Sequence, residues 1–167
     1  MKNSTKRLCA LSAATALAMI LSFVESQIPP IVPIPAVKIG LANIVTVFLL
    51  YAFSWREAAL VSFLRISLSS ILFGSAVSML YSLSGAILSF LVMLLLKKVN
   101  LFSCIGVSVV GGVFHNVGQI ICASFILGTA TVAVYLPVLL LSGVLGGIAV
   151  GSLGGLLIVK IKKFIRF

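Results

Sequence analysis

The residues of this chain able to do chemistry are few, and each stands in apolar surroundings that make it costly to keep. Arg65 lies in the middle of the apolar stretch 58–74, with Ser62 and Ser69 about one helical turn to either side. On a helix the three share a face, so the guanidinium points into a bundle or a wet cavity. There it suits bidentate binding of a carboxylate or phosphate; bonding to carbonyls of a neighbouring helix is the structural alternative. Further along runs Gly111-Gly112-Val113-Phe114-His115-Asn116-Val117-Gly118-Gln119. His115 and Gln119 are four apart and share a face, and Asn116 sits about 100° round from His115. The three are expected to fill one inward arc, as ligand-binding groups or as a satisfied polar core. Asn43, with Thr46 one turn on, adds an amide, and Glu25, Lys38 and Tyr81 lie where neighbouring apolar runs begin or end. Ionisable groups inside a membrane span mark pathways and binding sites. The pattern therefore predicts a pocket for a small polar or anionic molecule.

Other chemistries lack their residues. There is one histidine and no aspartate, so no metal site is expected. No GxxxxGK[ST] loop, serine elbow or carboxylate pair occurs, and neither an enzyme nor a cofactor is expected. Cys9, Cys104 and Cys122 are odd in number and show no CxxC spacing, which fits buried apolar cysteines.

The elements that must position these groups follow from composition. Of 167 residues, 62% are hydrophobic and 8% charged, and the mean hydropathy is +1.34. Charge is too sparse to cover a water-facing surface, which in soluble domains takes about 25% charged residues. The long unbroken apolar runs indicate membrane-spanning helices and not the alternating strands of a barrel. Spans are expected at about 8–24, 40–55, 58–74, 78–96, 101–127 and 132–159, giving an all-α bundle of six transmembrane helices in a single domain, 1–167. The formal charge of +10 raises the question of nucleic acid. However, Lys2, Lys6, Arg7, Arg56, Lys97, Lys98, Lys160, Lys162, Lys163 and Arg166 all fall at the ends of apolar runs. With the N-terminus inside, all ten are cytoplasmic, so they read as orientation signals in a multi-pass protein of the bacterial cell membrane. Both termini are then cytoplasmic, lipid is the surrounding partner, and the polar groups converge on a cavity opening outward. Lys2, Lys6 and Arg7 ahead of an apolar run also fit a cleaved signal sequence, but no small-x-small pattern precedes Glu25.

Between the first two spans, residues 25–38 hold Pro29, Pro30, Pro33 and Pro35, which stiffen the segment into either a lid or a plain connector. Two rows of small residues recur every four positions: Ala10, Ala14 and Ala18, and Gly143, Gly147, Gly151 and Gly155. Such rows let helices approach closely. The glycine row is expected to pack inside the bundle; the alanine row fits inside it or against a partner subunit.

The stretches Lys38-Ile39-Gly40-Leu41-Ala42-Asn43, Leu64-Arg65-Ile66, Phe73-Gly74-Ser75, Tyr81-Ser82-Leu83-Ser84-Gly85 and His115-Asn116-Val117-Gly118-Gln119 resemble the Gx transporter family, also labelled heptaprenyl diphosphate synthase component I. The resemblance covers about 25–159. That family is similar to the substrate-binding S components of energy-coupling-factor transporters. It implies a six-helix fold binding a vitamin or similar micronutrient, with a transmembrane coupling subunit and ATPases as partners. The resemblance also implies that Ala10, Ala14 and Ala18 contact the coupling subunit.

Overall fold

The computed structural model describes residues 2–27 and 40–162, and nearly all of them are helical. The helices are α1 (Lys2–Gln27), α2 (Asn43–Ala52), α3 (Trp55–Phe73), α4 (Ala76–Val99), α5 (Cys104–Leu127) and α6 (Leu136–Lys162), with a 3-10 turn at Ala130–Tyr135 leading into α6. Their ends carry local signals. Ser54 and Glu57 form a reciprocal capping box at the start of α3, Ser75 and Ser78 form another for α4, and Ser103 caps α5. Asn100 and Gly128 close α4 and α5 in the left-handed region, at φ 59° and 64°. Pro137 falls in the first turn of α6, where its missing N–H costs nothing.

Four helical stretches are long and apolar enough to cross a membrane: Ser4–Gln27, Ala76–Val99, Cys104–Leu127 and Ala130–Lys160. The chain is an all-helical membrane protein. The helix in the expected second span, 40–55, is short. α2 has 10 residues and is only about 15 Å long, against roughly 30 Å of hydrocarbon. It is the buried centre: Ile44 to Leu50 are all buried, with Leu49 and Leu50 at 0% exposure. α3 has 19 residues, enough for about 28 Å, but it carries Arg56, Glu57, Arg65 and a run of serines.

α4, α5 and α6 form an antiparallel meander, α2 lies against α6 and α3, and α1 packs mainly on α3. With little hydrophobic drive between helices in lipid, close backbone approach does the joining. A Cβ on Gly143 would stand 2.9 Å from the carbonyl carbon of Gly112, and one on Gly151 would stand 2.7 Å from Ile105 Cα. The glycine row thus packs within the bundle, against α5, as expected. It ends there, since Gly155 faces open space.

The alanine row also turns inward. Ala18 is 2% exposed and belongs to the core, and Ala14 packs against that core, while Leu8, Leu17, Ile20 and Val24 form the exposed side of α1. Ala14 and Ala18 thus face this chain's own helices, where small residues let α1 sit closely on the bundle.

Chain reversals at 53–54 and 100–103 place Lys6, Arg7, Arg56, Lys97 and Lys98 at one end. Arg7 Nη2 donates to Glu57 Oε2 at 2.8 Å, and Arg7 Nε donates to the other carboxylate oxygen, tying α1 to α3. Lys97 Nζ donates to the Leu50 carbonyl and lies 5.1 Å over the Tyr51 ring, tying α4 to α2. The proline-rich segment and Lys38 lie outside the described residues.

Candidate functional site

The opposite half of the bundle contains a cleft of about 70 Å³ whose walls come from α1 to α5. Glu25, Gly40, Asn43, Arg65, His115 and Gln119 line it, and Ser22, Ser26, Ser69, Ser70, Ser78 and Ser82 surround them. A bilayer protein has every reason to keep this much polarity away from lipid. Concentrating it in one cleft does so.

Arg65 comes from the middle of α3, where Ile66, at 2% exposure, anchors the helix in the core. Its Nη2 donates to Asn43 Oδ1 at 3.1 Å, and its buried Nε has no partner among the described residues. Asn43 is presented by the start of α2, whose entry turn bends at Gly40 with φ +79°. A side chain there would be strained, and its Cβ would meet Asn43 Nδ2 at 3.0 Å. The Gly40 amide in turn donates to Glu25 Oε1, so the end of α1 holds the entry to α2. Glu25 is 8% exposed, and its carboxylate faces the same cleft as the Arg65 guanidinium.

α5 supplies the opposite wall. Gln119 Nε2 lies 3.3 Å from His115 Nε2. Gln119 Oε1 is buried and without a partner among the described residues; the side chain is 4% exposed. The placement of α5 depends on Gly85 of α4, where a Cβ would approach the His115 carbonyl oxygen to 2.7 Å.

Of the residues expected in the site, Arg65, Asn43, Glu25, His115 and Gln119 come together here. Asn116 does not. The 100° offset from His115 turns it towards α6, where Nδ2 donates to the Leu139 carbonyl at 2.5 Å and to Ser142 Oγ at 3.2 Å. It is a helix-joining residue beside a second, glycine-lined space of about 30 Å³ that also touches Asn43 and His115. Tyr81 does not line the cleft either; its neighbours Ser78 and Ser82 do. Lys38 is outside the described residues. The serines were the missed component, apart from Ser69. Their signal is the i, i+4 pairs Ser22/Ser26 and Ser78/Ser82, each close to the same end of the bundle. The Ser22 and Ser69 hydroxyls are buried without partners among the described residues.

Chemically the cleft offers one guanidinium N–H, one amide carbonyl, one carboxylate and rotatable hydroxyls. That is equipment for binding, and among the described residues no group of three His, Cys, Asp or Glu stands close enough to hold a metal. Neither the curated proteins nor the solved structures contain a match to the chain. A family model does match, over residues 14–157, which takes in every residue of the cleft. The chain belongs to the family described as heptaprenyl diphosphate synthase component I.

Proposed function

We propose that this chain is the substrate-binding subunit of a membrane uptake system, capturing a small acidic or amphipathic molecule in the cleft around Arg65. The observation that carries this reading is a pair of buried polar atoms without partners among the described residues, Arg65 Nε and Gln119 Oε1, on two side chains that line one cleft. An unmet polar group away from water costs several kcal/mol. Retaining a donor and an acceptor together makes sense where a ligand completes both. Glu25 puts a negative group on the same wall. A ligand offering an acceptor to Arg65 and N–H or O–H groups to Gln119 and Glu25 therefore fits better than a bare anion.

The chain contains no phosphate-binding loop for ATP hydrolysis. Uptake would accordingly be driven by a coupling subunit and ATPases, the partners that the resemblance to S components implies. In this reading the protein is multi-pass in the cell membrane, with its basic end and both termini in the cytoplasm and the cleft facing outward. A coupling subunit would meet α1 along its exposed face, at Leu17, Ile20 and Val24.

The family description supports a second reading, a membrane component that accompanies a prenyl diphosphate synthase. Without a single aspartate the chain does not assemble an Asp-rich magnesium–diphosphate site, so its part would be non-catalytic.

Native mass spectrometry of the gently purified full chain tests capture directly. A retained small molecule is expected in the parent protein and lost in Arg65→Ala at unchanged melting temperature. Equal occupancy in Arg65→Ala would overturn the reading. Recovery with a coupling protein and ATPases supports uptake, and recovery with a soluble prenyltransferase supports the second reading.

A further inference from the structure

At the basic end, well away from the polar cleft, a groove of about 760 Å³ runs between the turn after α2 and the last two turns of α4. Its walls are Phe53, Trp55, Leu91, Leu94 and Leu95, and its end is formed by Ser54, Lys97 and Lys98. Leu91, Leu94, Leu95 and Lys98 follow the i, i+3, i+4, i+7 spacing, so they form one stripe along α4. The stripe is apolar from Leu91 to Leu95 and becomes cationic at Lys98, about 10 Å along the axis from Leu91.

We propose that this groove holds one anionic phospholipid, its acyl chain along the α4 leucines and its phosphate at Lys97 and Lys98. Three observations choose this occupant. First, the groove's polarity runs along the helix axis, as a phospholipid's does, and Leu91, Leu95 and Trp55 are 54%, 64% and 53% exposed and thus open to the bilayer. Second, the charge is one-sided. Arg56 stands 5.4 Å over the Trp55 ring and adds a third cation, while no acidic residue lines the groove. The nearest carboxylate in sequence, Glu57, is already engaged by Arg7 and Ser54. Third, the cationic end is organised. Lys97 lines the groove and is held on the Leu50 carbonyl and the Tyr51 ring, which restricts the positions of its ammonium beside Lys98. Trp55 supplies the amphipathic ring favoured at that depth. A cation over an aromatic face beside Ser54 makes a receptor for a phosphate diester and repels nothing in it.

The test is a native mass spectrometry titration of the full chain in detergent with phosphatidylglycerol and phosphatidylcholine of the same chains. One phosphatidylglycerol is expected to bind in preference to phosphatidylcholine by about tenfold or more, since each interfacial cation contributes roughly a factor of five. Lys98→Gln should lower that preference about fivefold, and Lys97→Gln with Lys98→Gln should abolish it. Because Lys97 also bonds Leu50, Leu94→Trp, which fills the groove and leaves both lysines, is the independent variant; it should abolish the single tight site. Lys6→Gln, at the same end but outside the groove, should change nothing. Equal binding of the two lipids would overturn the proposal. So would a preference that survives Leu94→Trp, or a photo-crosslinker at Leu94 that captures a protein segment in membranes.

Discussion

Arg65 and Asn43 bond across the α2–α3 contact at 3.1 Å through Nη2 and Oδ1, which fixes the guanidinium and leaves its buried Nε without a partner among the described residues. The Asn43 amide positions the cation and adds no charge of its own beside Glu25. Asn43→Asp should do both, forming an ion pair in place of the bond. Retention of the cleft's ligand is expected to fall at least about tenfold, as for loss of a charge-assisted contact of 1.5–3 kcal/mol. Melting temperature should stay level or rise. Native mass spectrometry and a thermal melt on the same preparation check the pair of effects. Undiminished retention would show that Asn43 does not set the charge of the cleft.

Much of this arrangement was legible in the residues, for a physical reason: an arginine, a glutamate and side-chain amides are expensive in lipid, so their positions carry information. Arg65, Asn43, Glu25, His115 and Gln119 stood out on that basis. Asn116 stood out equally and belongs elsewhere, since a 100° step on α5 turns it from the cleft to Leu139 on α6. Nothing local to 115–119 distinguishes those directions; they depend on which helices flank α5. The serines were missed because serine is cheap in a helix, able to bond its own backbone, as Ser26 does to Phe23. The alanine row announced a close contact without naming the surface it meets. The apolar run at 40–55 concealed the turn at Gly40 and the break at Phe53, which leave a 10-residue buried helix between them.

Glu57 supports a prediction at the other end of the bundle. The Arg7 guanidinium holds its carboxyl at about 2, below the ordinary 4.5, against the opposing pull of burial and with help from Ser54. A depressed carboxylate contributes stability that is fully present above pH 4.5 and is lost as pH falls through about 2. Glu57→Gln retains the capping-box geometry and removes the charge pair. It should cost about 0.2–1 kcal/mol at neutral pH and flatten the acid limb of the stability curve. Glu57→Ala removes the cap as well, costing about 1 kcal/mol more. Melts in detergent between pH 3 and 7 would settle it; an unchanged acid limb in Glu57→Gln would assign that limb to other groups.

The glycine row yields opposite signs from one substitution. Alanine at Gly151 would drive Cβ to 2.7 Å from Ile105 Cα, and backbone does not give way cheaply. A loss of about 1–3 kcal/mol is expected, with α5 and α6 forced apart. Alanine at Gly155 meets nothing within 4 Å. It should be neutral or gain about 0.5–1 kcal/mol by stiffening the helix. Equal melting temperatures for the two variants would mean that the row does not seat α6 on α5.

Gln119 separates binding from folding most sharply. Its Oε1 is buried without a partner among the described residues, in a side chain that is 4% exposed. If that carbonyl serves only the fold, replacing it should hurt the fold. If it is held for a ligand, the ligand-free protein carries the cost of an unmet acceptor, about 1–3 kcal/mol. Gln119→Leu keeps most of the volume and discards both the orphan carbonyl and the bond to His115, worth about 1 kcal/mol. The ligand-free variant should therefore melt at or above the parent temperature while ligand retention drops about tenfold. Gln119→Glu preserves the acceptor and adds a charge facing Glu25, so it should destabilise the ligand-free protein. A destabilised Gln119→Leu with intact ligand retention would place Gln119 among the residues that hold α4 to α5 and remove it from the cleft's binding groups.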